Sequence, residues 1–370
     1  MKVKHISILL AAALTLAACS KSEIQYESPS DICFAPASKN ITKAAMPAGV
    51  LDKNVKLGVW AYWNGVNGTV ESTATYANYT DAYLYNSLFA NRADTDNWGG
   101  YDSQNAKEVA YPWPSSGALV FAGYTKPSPN TNLEARYILS KTIDGVLHED
   151  ELTFADYTQD VQDGVLTSDD LCWFSATTES YNYRTAASGA VSVTLNHALT
   201  WITFKAYGSG APVSSGNEWV ITSITLKNIS TVGTATCHGT KVNWDPIVST
   251  SSIKVYSKDV ENGYRLTTLP DGDKTLPAIE NVKNNTLVIP QTPVEAEITY
   301  KTSPNSEPVT KTIALTLDNT KDKKGNANTE NTKWEAGKHY TYTLHFKSNE
   351  IRVTPSYGDW TSTDQSITVE

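Results

Sequence analysis

The chain has 370 residues, 40% of them apolar and only 19% charged, with 20 Tyr and 10 Trp. Its 30 Lys and Arg against 39 Asp and Glu give a net charge of −9 with no long basic block, a surface that repels phosphate backbones and excludes nucleic acid as a natural partner. The 16 Pro and 21 Gly, among abundant Thr, Ser, Asn, Tyr and Trp, are strand and turn material and exclude an all-α fold.

Chain order begins with a secretory pattern. Lys2 and Lys4 supply positive charge, Ile8 to Leu16 is an apolar run broken only by Thr15, and Leu16, Ala17 and Ala18 precede Cys19. The run is too short to span a bilayer, and the small residues mark a cut site. A cysteine directly after Leu-Ala-Ala resembles a bacterial lipobox. That resemblance implies diacylation of the Cys19 thiol, cleavage between Ala18 and Cys19, and acylation of the new amine. Several acyl chains (palmitate among them) then anchor the protein, because each buried methylene contributes about 0.8 kcal/mol. Residues 1–18 are therefore expected to be a lipoprotein signal peptide and residues 19–30 a lipidated linker.

The first strand is predicted at Ile32 to Ala35, and the next at Val55 to Trp63, with Val55, Leu57, Val59 and Ala61 on one face. Strands also fit Ala118 to Tyr124 and Leu171 to Ala176. The polar stretches 91–105 and 126–132 are expected to be long loops. From Ala190 the alternation is cleaner: Val191 to Leu195, Leu199 to Phe204, Ile221 to Leu226, Ile253 to Tyr256, Leu287 to Ile289, Ile298 to Tyr300 and Ile313 to Leu317. Tyr340 to Phe346 places an apolar or aromatic residue at every even position. Lys321 to Lys333 is charged and Asn-rich, as an exposed hairpin loop would be. Short strands between Gly, Pro, Asn and Ser clusters predict antiparallel β-sandwiches. The polar stretch from Thr177 to Gly189 sets the expected boundary, giving an N-terminal sandwich at 31–183 and a C-terminal one at 184–370.

Chemistry-bearing residues are sparse. Cys33, Cys172 and Cys237 remain after Cys19; Cys33 and Cys172 pair if the first and last strands of one domain are neighbours, and otherwise are buried thiols. Six scattered histidines and the absence of C-x-x-C give no zinc signature, and His197 in its apolar context is expected to be a core or turn residue. Asp169 with Asp170, and Glu149 to Glu151, are expected on the solvated surface. No nucleophile or phosphate-binding motif is present, so no enzyme and no cofactor are expected. Trp60, Tyr62 and Trp63, with Tyr76, Tyr79, Tyr83 and Tyr85 soon after, leave two readings open: aromatics packed between sheets, or a platform of a glycan-binding surface lipoprotein.

Five stretches in order resemble the fimbrillin family, the lipoprotein pilus subunits of Gram-negative gut and oral anaerobes. They are Ile32 to Ala35 followed by Ile41, Thr42, Lys43 and Ala44; Tyr111-Pro112-Trp113-Pro114 before Leu119 to Tyr124; Val193 to Leu199 with His197; Leu287 to Gln291; and Trp334, Gly337, Lys338, Tyr340 and Tyr342, with Trp360 near the end. The resemblance implies an all-β fold of two tandem transthyretin-like antiparallel β-sandwiches, delivery to the outer membrane, and surface filaments for adhesion. It also implies partners: other pilin subunits, outer-membrane lipid through Cys19, and a surface receptor. Assembly in this family implies that a protease removes the first strand and that a strand of the next subunit fills the groove.

Mapped onto this chain, the leaving strand is Ile32 to Ala37, with Ile32 and Phe34 its candidate residues, and the cut follows Lys43 or, second, Lys39. The first arginine is Arg92, so an arginine-specific protease has no early site. Either a lysine-tolerant protease acts, or the subunit keeps its first strand as an anchor or tip. Donor candidates are Ile351 with Val353 and Ile367 with Val369, spaced so that alternate side chains face one way; the alternative is that these segments pair within their own domain.

Overall fold

The computed structural model describes residues 31–38, 53–63, 81–92, 96–114, 118–126, 133–143, 146–166, 169–180, 190–214, 218–247, 251–269, 276–279, 286–317 and 332–359. The first twelve strands are β1 (Cys33–Ser38), β2 (Lys56–Trp63), β3 (Asp81–Asn91), β4 (Trp98–Asp102), β5 (Lys107–Glu108), β6 (Ala118–Lys126), β7 (Glu134–Ile143), β8 (Val146–Thr158), β9 (Val161–Gln162), β10 (Val165–Leu166), β11 (Cys172–Ser180) and β12 (Val191–His197). The rest are β13 (Thr200–Gly208), β14 (Val220–Leu226), β15 (Val232–His238), β16 (Lys241–Pro246), β17 (Ile253–Ser257), β18 (Tyr264–Arg265), β19 (Ala278–Ile279), β20 (Thr286–Val288), β21 (Glu295–Lys301), β22 (Val309–Ala314), β23 (Lys338–Phe346) and β24 (Ile351–Asp359). Among the described residues the only helical element is a 3₁₀ turn at Ala211–Val213. The described residues are nearly all β, the class expected from the strand alternation and the resemblance.

The strands form four sheets. The largest runs β1-β12-β11-β6-β2-β3-β4-β5, and β1 also pairs β4, so the sheet from β1 to β4 closes on itself. Side-chain alternation then decides what lies inside the ring. Leu57, Val59 and Ala61 of β2, Leu119 and Phe121 of β6, and Cys172 and Phe174 of β11 join Ile32 and Phe34 in one buried cluster. The other faces of the same strands are buried too. Trp60, Val120, Ala122, Tyr124 and Trp173 pack in a second cluster with Tyr137, Leu152, Phe154, Ala235 and Cys237, which come from the four-stranded sheet β16-β15-β8-β7. A third cluster fills the space between the β22-β21-β14-β17-β10-β9 sheet and the β19-β13-β23-β24 sheet. Tyr340, Tyr342, Leu344 and Phe346 all point into it, as their even spacing predicted.

Several expectations need correction. The segment 91–105 contains β4, whose Trp98 is fully buried and donates Nε1 to the Val55 carbonyl at 2.8 Å. β3, the β7–β8 hairpin and the β15–β16 hairpin have no counterpart among the predicted strands. β11 runs on to Ser180, past the start of the expected loop at Thr177. Glu149, Asp150 and Glu151 lie on β8, where Asp150 is buried and accepts from Tyr137 Oη at 2.9 Å and Ser175 Oγ at 3.1 Å. Apart from these corrections, ladders join strands on the two sides of residue 183/184: β12 pairs β1 and β11, β15 pairs β8, and β17 pairs β10.

The sequence stretches quoted above meet one another in space. Trp334 N donates to the Gln291 carbonyl and Gly337 N to the Leu199 carbonyl, at 2.8 and 2.9 Å. Gly337 has φ +69°, which a side chain there would strain. The Gln291 amide is buried and serves the backbone, accepting from Ser230 N at 2.9 Å and donating to the Ser230 and Ile289 carbonyls at 3.0 Å. Trp334 Nε1 donates to Tyr342 Oη at 2.8 Å. These residues are spaced as they are because buried polar groups at this junction need partners.

Candidate functional site: the first strand and its groove

β1 is short, with the sequence Cys-Phe-Ala-Pro-Ala-Ser, and lies at the closure of the large sheet. On one side it runs parallel to β12, from Phe34 opposite Val191 to Ser38 opposite Leu195. On the other it pairs antiparallel with β4 only at Cys33 and Phe34. Ile32 N donates to the Tyr111 carbonyl at 2.7 Å. By the period of two, the backbone edges of Phe34 and Pro36 face the same way as that of Ile32, away from β12. Pro36 therefore removes no bond from the β12 ladder, and it stands just where pairing with β4 has ended.

The inward side chains hold this strand. Ile32 and Phe34 are fully buried. The Phe34 ring meets Phe89 edge-on at 4.9 Å and Phe121 edge-on at 5.2 Å, with Phe174 at 6.0 Å. Burying two such side chains stabilises the closed sheet by about 1.5–3 kcal/mol each. The Tyr-Pro-Trp-Pro stretch clasps the entry. Asp31 bridges to Pro112, Tyr83 Oη donates to the Pro112 carbonyl, and Trp113 packs edge-on against Phe121 at 5.7 Å. Outside, Arg92 Nη2 lies 3.6 Å from Asp31 Oδ2 and Arg92 Nε 3.9 Å from Glu108 Oε2; these partly exposed pairs contribute at most about 1 kcal/mol.

The cysteine expectation resolves against a disulfide. β1 and β11 are both neighbours of β12, but Cys172 faces the interior with Phe174 while Cys33, next to inward Phe34, faces the other way. Cys33, Cys172 and Cys237 are all free and buried. Burial pushes the Cys33 thiol up, against the pull of Arg92 and with a smaller push from Asp31, so it is not a reactive thiolate.

The remaining candidates fall as follows. Lys39, Lys43, Ala18, Cys19, Ile367 and Val369 lie outside the described residues, as do Tyr76 and Tyr79 and the expected loop from Lys321 up to Asn331. Ile351 and Val353 sit half-buried on β24, which runs antiparallel to β23 from Ile351 opposite Phe346 to Asp359 opposite Lys338. They pack against the C-terminal core.

Among the described residues, the aromatics of β2 and β3 do not form a platform. Trp60 is buried between the sheets against Tyr124 and Tyr137, Tyr62 and Trp63 are half-buried against the two cores, and among the described members of the group only Tyr85 is well exposed, at 73%. The physical reason is that β2 is covered on both faces. Sequence reasoning missed one further grouping: Asp170, Cys172 and His197 meet at the end of β11 and β12. The only sequence signal was Asp-x-Cys; the third member arrives through strand register.

The Fimbrillin-like family model matches residues 42–360. No curated protein matches the chain. Among solved structures, the chain is similar to a fimbrial protein from Bacteroides vulgatus, at 16% identity, covering 89% of this chain and 99% of that one with a TM-score of 0.49. The fimbrial anchor protein Mfa2 of Porphyromonas gingivalis is 12% identical over 90% of this chain and 98% of its own, with a TM-score of 0.32. The tip fimbrial protein Mfa3 of the same organism is 9% identical over 90% and 99%, with a TM-score of 0.37. The match to the family model spans most of the sequence, and the chain belongs to the fimbrillin-like family.

Proposed function

We propose that the chain is a pilus subunit, exported as a lipoprotein anchored to the outer membrane through Cys19 and assembled into surface filaments by strand exchange. It acts by structure and not by catalysis. The observation that supports this reading best is the seating of β1. Two buried side chains and one full ladder hold it in a groove between β12 and β4, yet its β4 side is paired only at Cys33 and Phe34. The chain then passes at once to Lys39 and Lys43. A cut there leaves β1 held by noncovalent contacts alone. An incoming strand with alternate apolar side chains regains the same ladder and fills the same pockets. Insertion of one subunit into the next is heterologous and open-ended, so it builds a filament.

The scaffold of this proposal is the tandem transthyretin-like pair expected for 31–183 and 184–370, with β12, the β15–β16 hairpin and the β9–β10 hairpin exchanged across the boundary. The donor is the segment after β24, carrying Ile367 and Val369. Ile351 and Val353 are less suited, because donating them strips the whole β23 ladder.

The test is digestion of the full chain with a lysine-specific protease, followed by SDS gels without boiling. A ladder of multimers is expected, and it is abolished in the Lys39→Gln, Lys43→Gln double variant. Persistent monomer after confirmed loss of Ile32 to Ser38 contradicts strand exchange.

A further inference from the structure

Where β11 begins and β12 ends, three donor atoms of different chemistry converge. Cys172 and His197 are directly opposite one another in the antiparallel ladder. His197 Nδ1 lies 2.7 Å from Asp170 Oδ2, Cys172 Sγ lies 3.2 Å from the same oxygen, and Sγ lies 3.5 Å from Nδ1. The set is buried: the His197 side chain is 5% exposed, that of Asp170 11%, and Cys172 as a residue 1%.

The triangle has the dimensions of one face of a tetrahedral zinc site. With Zn–S about 2.3 Å, Zn–N about 2.0–2.1 Å and Zn–O about 2.0–2.2 Å, the edges are about 3.5 Å for S···N, 3.5 Å for S···O and 3.3 Å for N···O. The first edge already matches and the second is close. The third is at hydrogen-bond length and opens by about 0.6 Å when an ion enters.

Two independent features support a ligand here. Asp170 Oδ1, the second oxygen of the same carboxylate, is buried with no hydrogen-bond partner among the described residues. A carboxylate oxygen left so is costly, and a nearby cation offsets that cost. The segment carrying the donors is also fixed in advance. Buried Thr125 Oγ1 accepts from Cys172 N at 2.7 Å and donates toward the Asp170 and Cys172 carbonyls at 3.0 and 3.3 Å.

We infer that Asp170, Cys172 and His197 form a binding site for a borderline-soft divalent cation, Zn²⁺ above all, which clasps β11 to β12. One thiolate, one imidazole and one carboxylate suit zinc; calcium and magnesium want oxygen alone. On binding, the Cys172 thiol releases its proton to solvent as the Zn–S bond forms, and His197 binds through Nδ1 with its proton on Nε2. The fourth position is taken by water. Because β12 is the wall against which β1 runs, the ion stiffens the groove without touching β1 itself. This inference is independent of strand exchange.

The experiment uses the full chain without a histidine tag, stripped with a chelator and titrated with Co²⁺ and Zn²⁺. One equivalent of Co²⁺ added to the metal-free chain is expected to release about one proton and to give a thiolate-to-cobalt charge-transfer band and tetrahedral d–d bands, which are lost when Zn²⁺ displaces the cobalt. Cys172→Ser abolishes the charge-transfer band, and Thr125→Val, which loosens the supporting shell, weakens binding about 10–100-fold. A readout on the unmodified chain guards against misfolded variants: Zn²⁺ protects Cys172 from alkylation by mass spectrometry, while Cys33 and Cys237 are unchanged. No charge-transfer band, a band retained in Cys172→Ser, or alkylation of Cys172 unaffected by Zn²⁺ each overturns the site.

Discussion

Phe34→Ala tests the groove most sharply on the side of stability. Phe34 is fully buried, and its ring makes edge-on contacts with Phe89 and Phe121. Truncating a core phenylalanine costs about 3–5 kcal/mol, and each aromatic pair contributes about 0.5–1.5 kcal/mol beyond its area. The walls β12 and β4 are held by β11 and β3, so the cavity collapses poorly and a loss of about 4 kcal/mol is expected. Ala35→Ser, on the other face of the same strand and partly exposed, stays within about 0.5 kcal/mol. Urea unfolding followed by tryptophan fluorescence reads both, as a lowered midpoint with an unchanged slope. After cleavage near Lys43, a loss of 3–5 kcal/mol, if expressed wholly in dissociation, speeds release of β1 roughly a hundred- to a few-thousand-fold. A loss below about 1 kcal/mol, or an equal loss in Ala35→Ser, refutes the argument that Phe34 holds the strand.

Three further outcomes follow from named side chains. Burial raises the Asp150 carboxyl, outweighing its bonds to Tyr137 and Ser175. The folded state therefore holds this proton more tightly than the unfolded one, and stability is lost as pH rises from near 4 through the raised value. Asp150→Asn, which suits the φ of +50° there, should gain on the wild type steadily over that window in urea titrations; a difference independent of pH contradicts the assignment. Trp60→Ala is expected to cost about 3–5 kcal/mol, as a core residue does, against less than about 0.5 kcal/mol for exposed Tyr85→Ala; a folded Trp60→Ala that loses only glycan binding reverses this reading. Cys19→Ala should abolish labelling by a clickable fatty acid in cells, and continued labelling refutes the lipid anchor.

How much of this was legible in the sequence depended on which faces were buried. β23 and β12 have one apolar face and one polar face, so Tyr340 to Phe346 and Val191 to Leu195 announced themselves through period two. β2 is buried on both faces, and alternation located its inner set, Leu57, Val59 and Ala61, while Trp60 went to the other core. β15 was invisible because Gly233, Ala235 and Cys237, its core-facing residues, are too small to mark a face. β8 was hidden by its acidic residues, among them Asp150, whose partners come from β7 and β11. The groove of β1 was half legible: Ile32 and Phe34 read as members of the leaving strand, but parallel pairing with β12 joins residues far apart in sequence. The same holds for Asp170, Cys172 and His197, since no spacing rule encodes which residues of two strands stand opposite.

The central claim is that β1 is a removable strand. It is tested most directly by the N-terminal residue of the subunit recovered from filaments on cells. An N-terminus just after Lys43 or Lys39 is expected, with Ile32 to Ser38 absent. Filament subunits that still begin at Cys19 and retain β1 would contradict it.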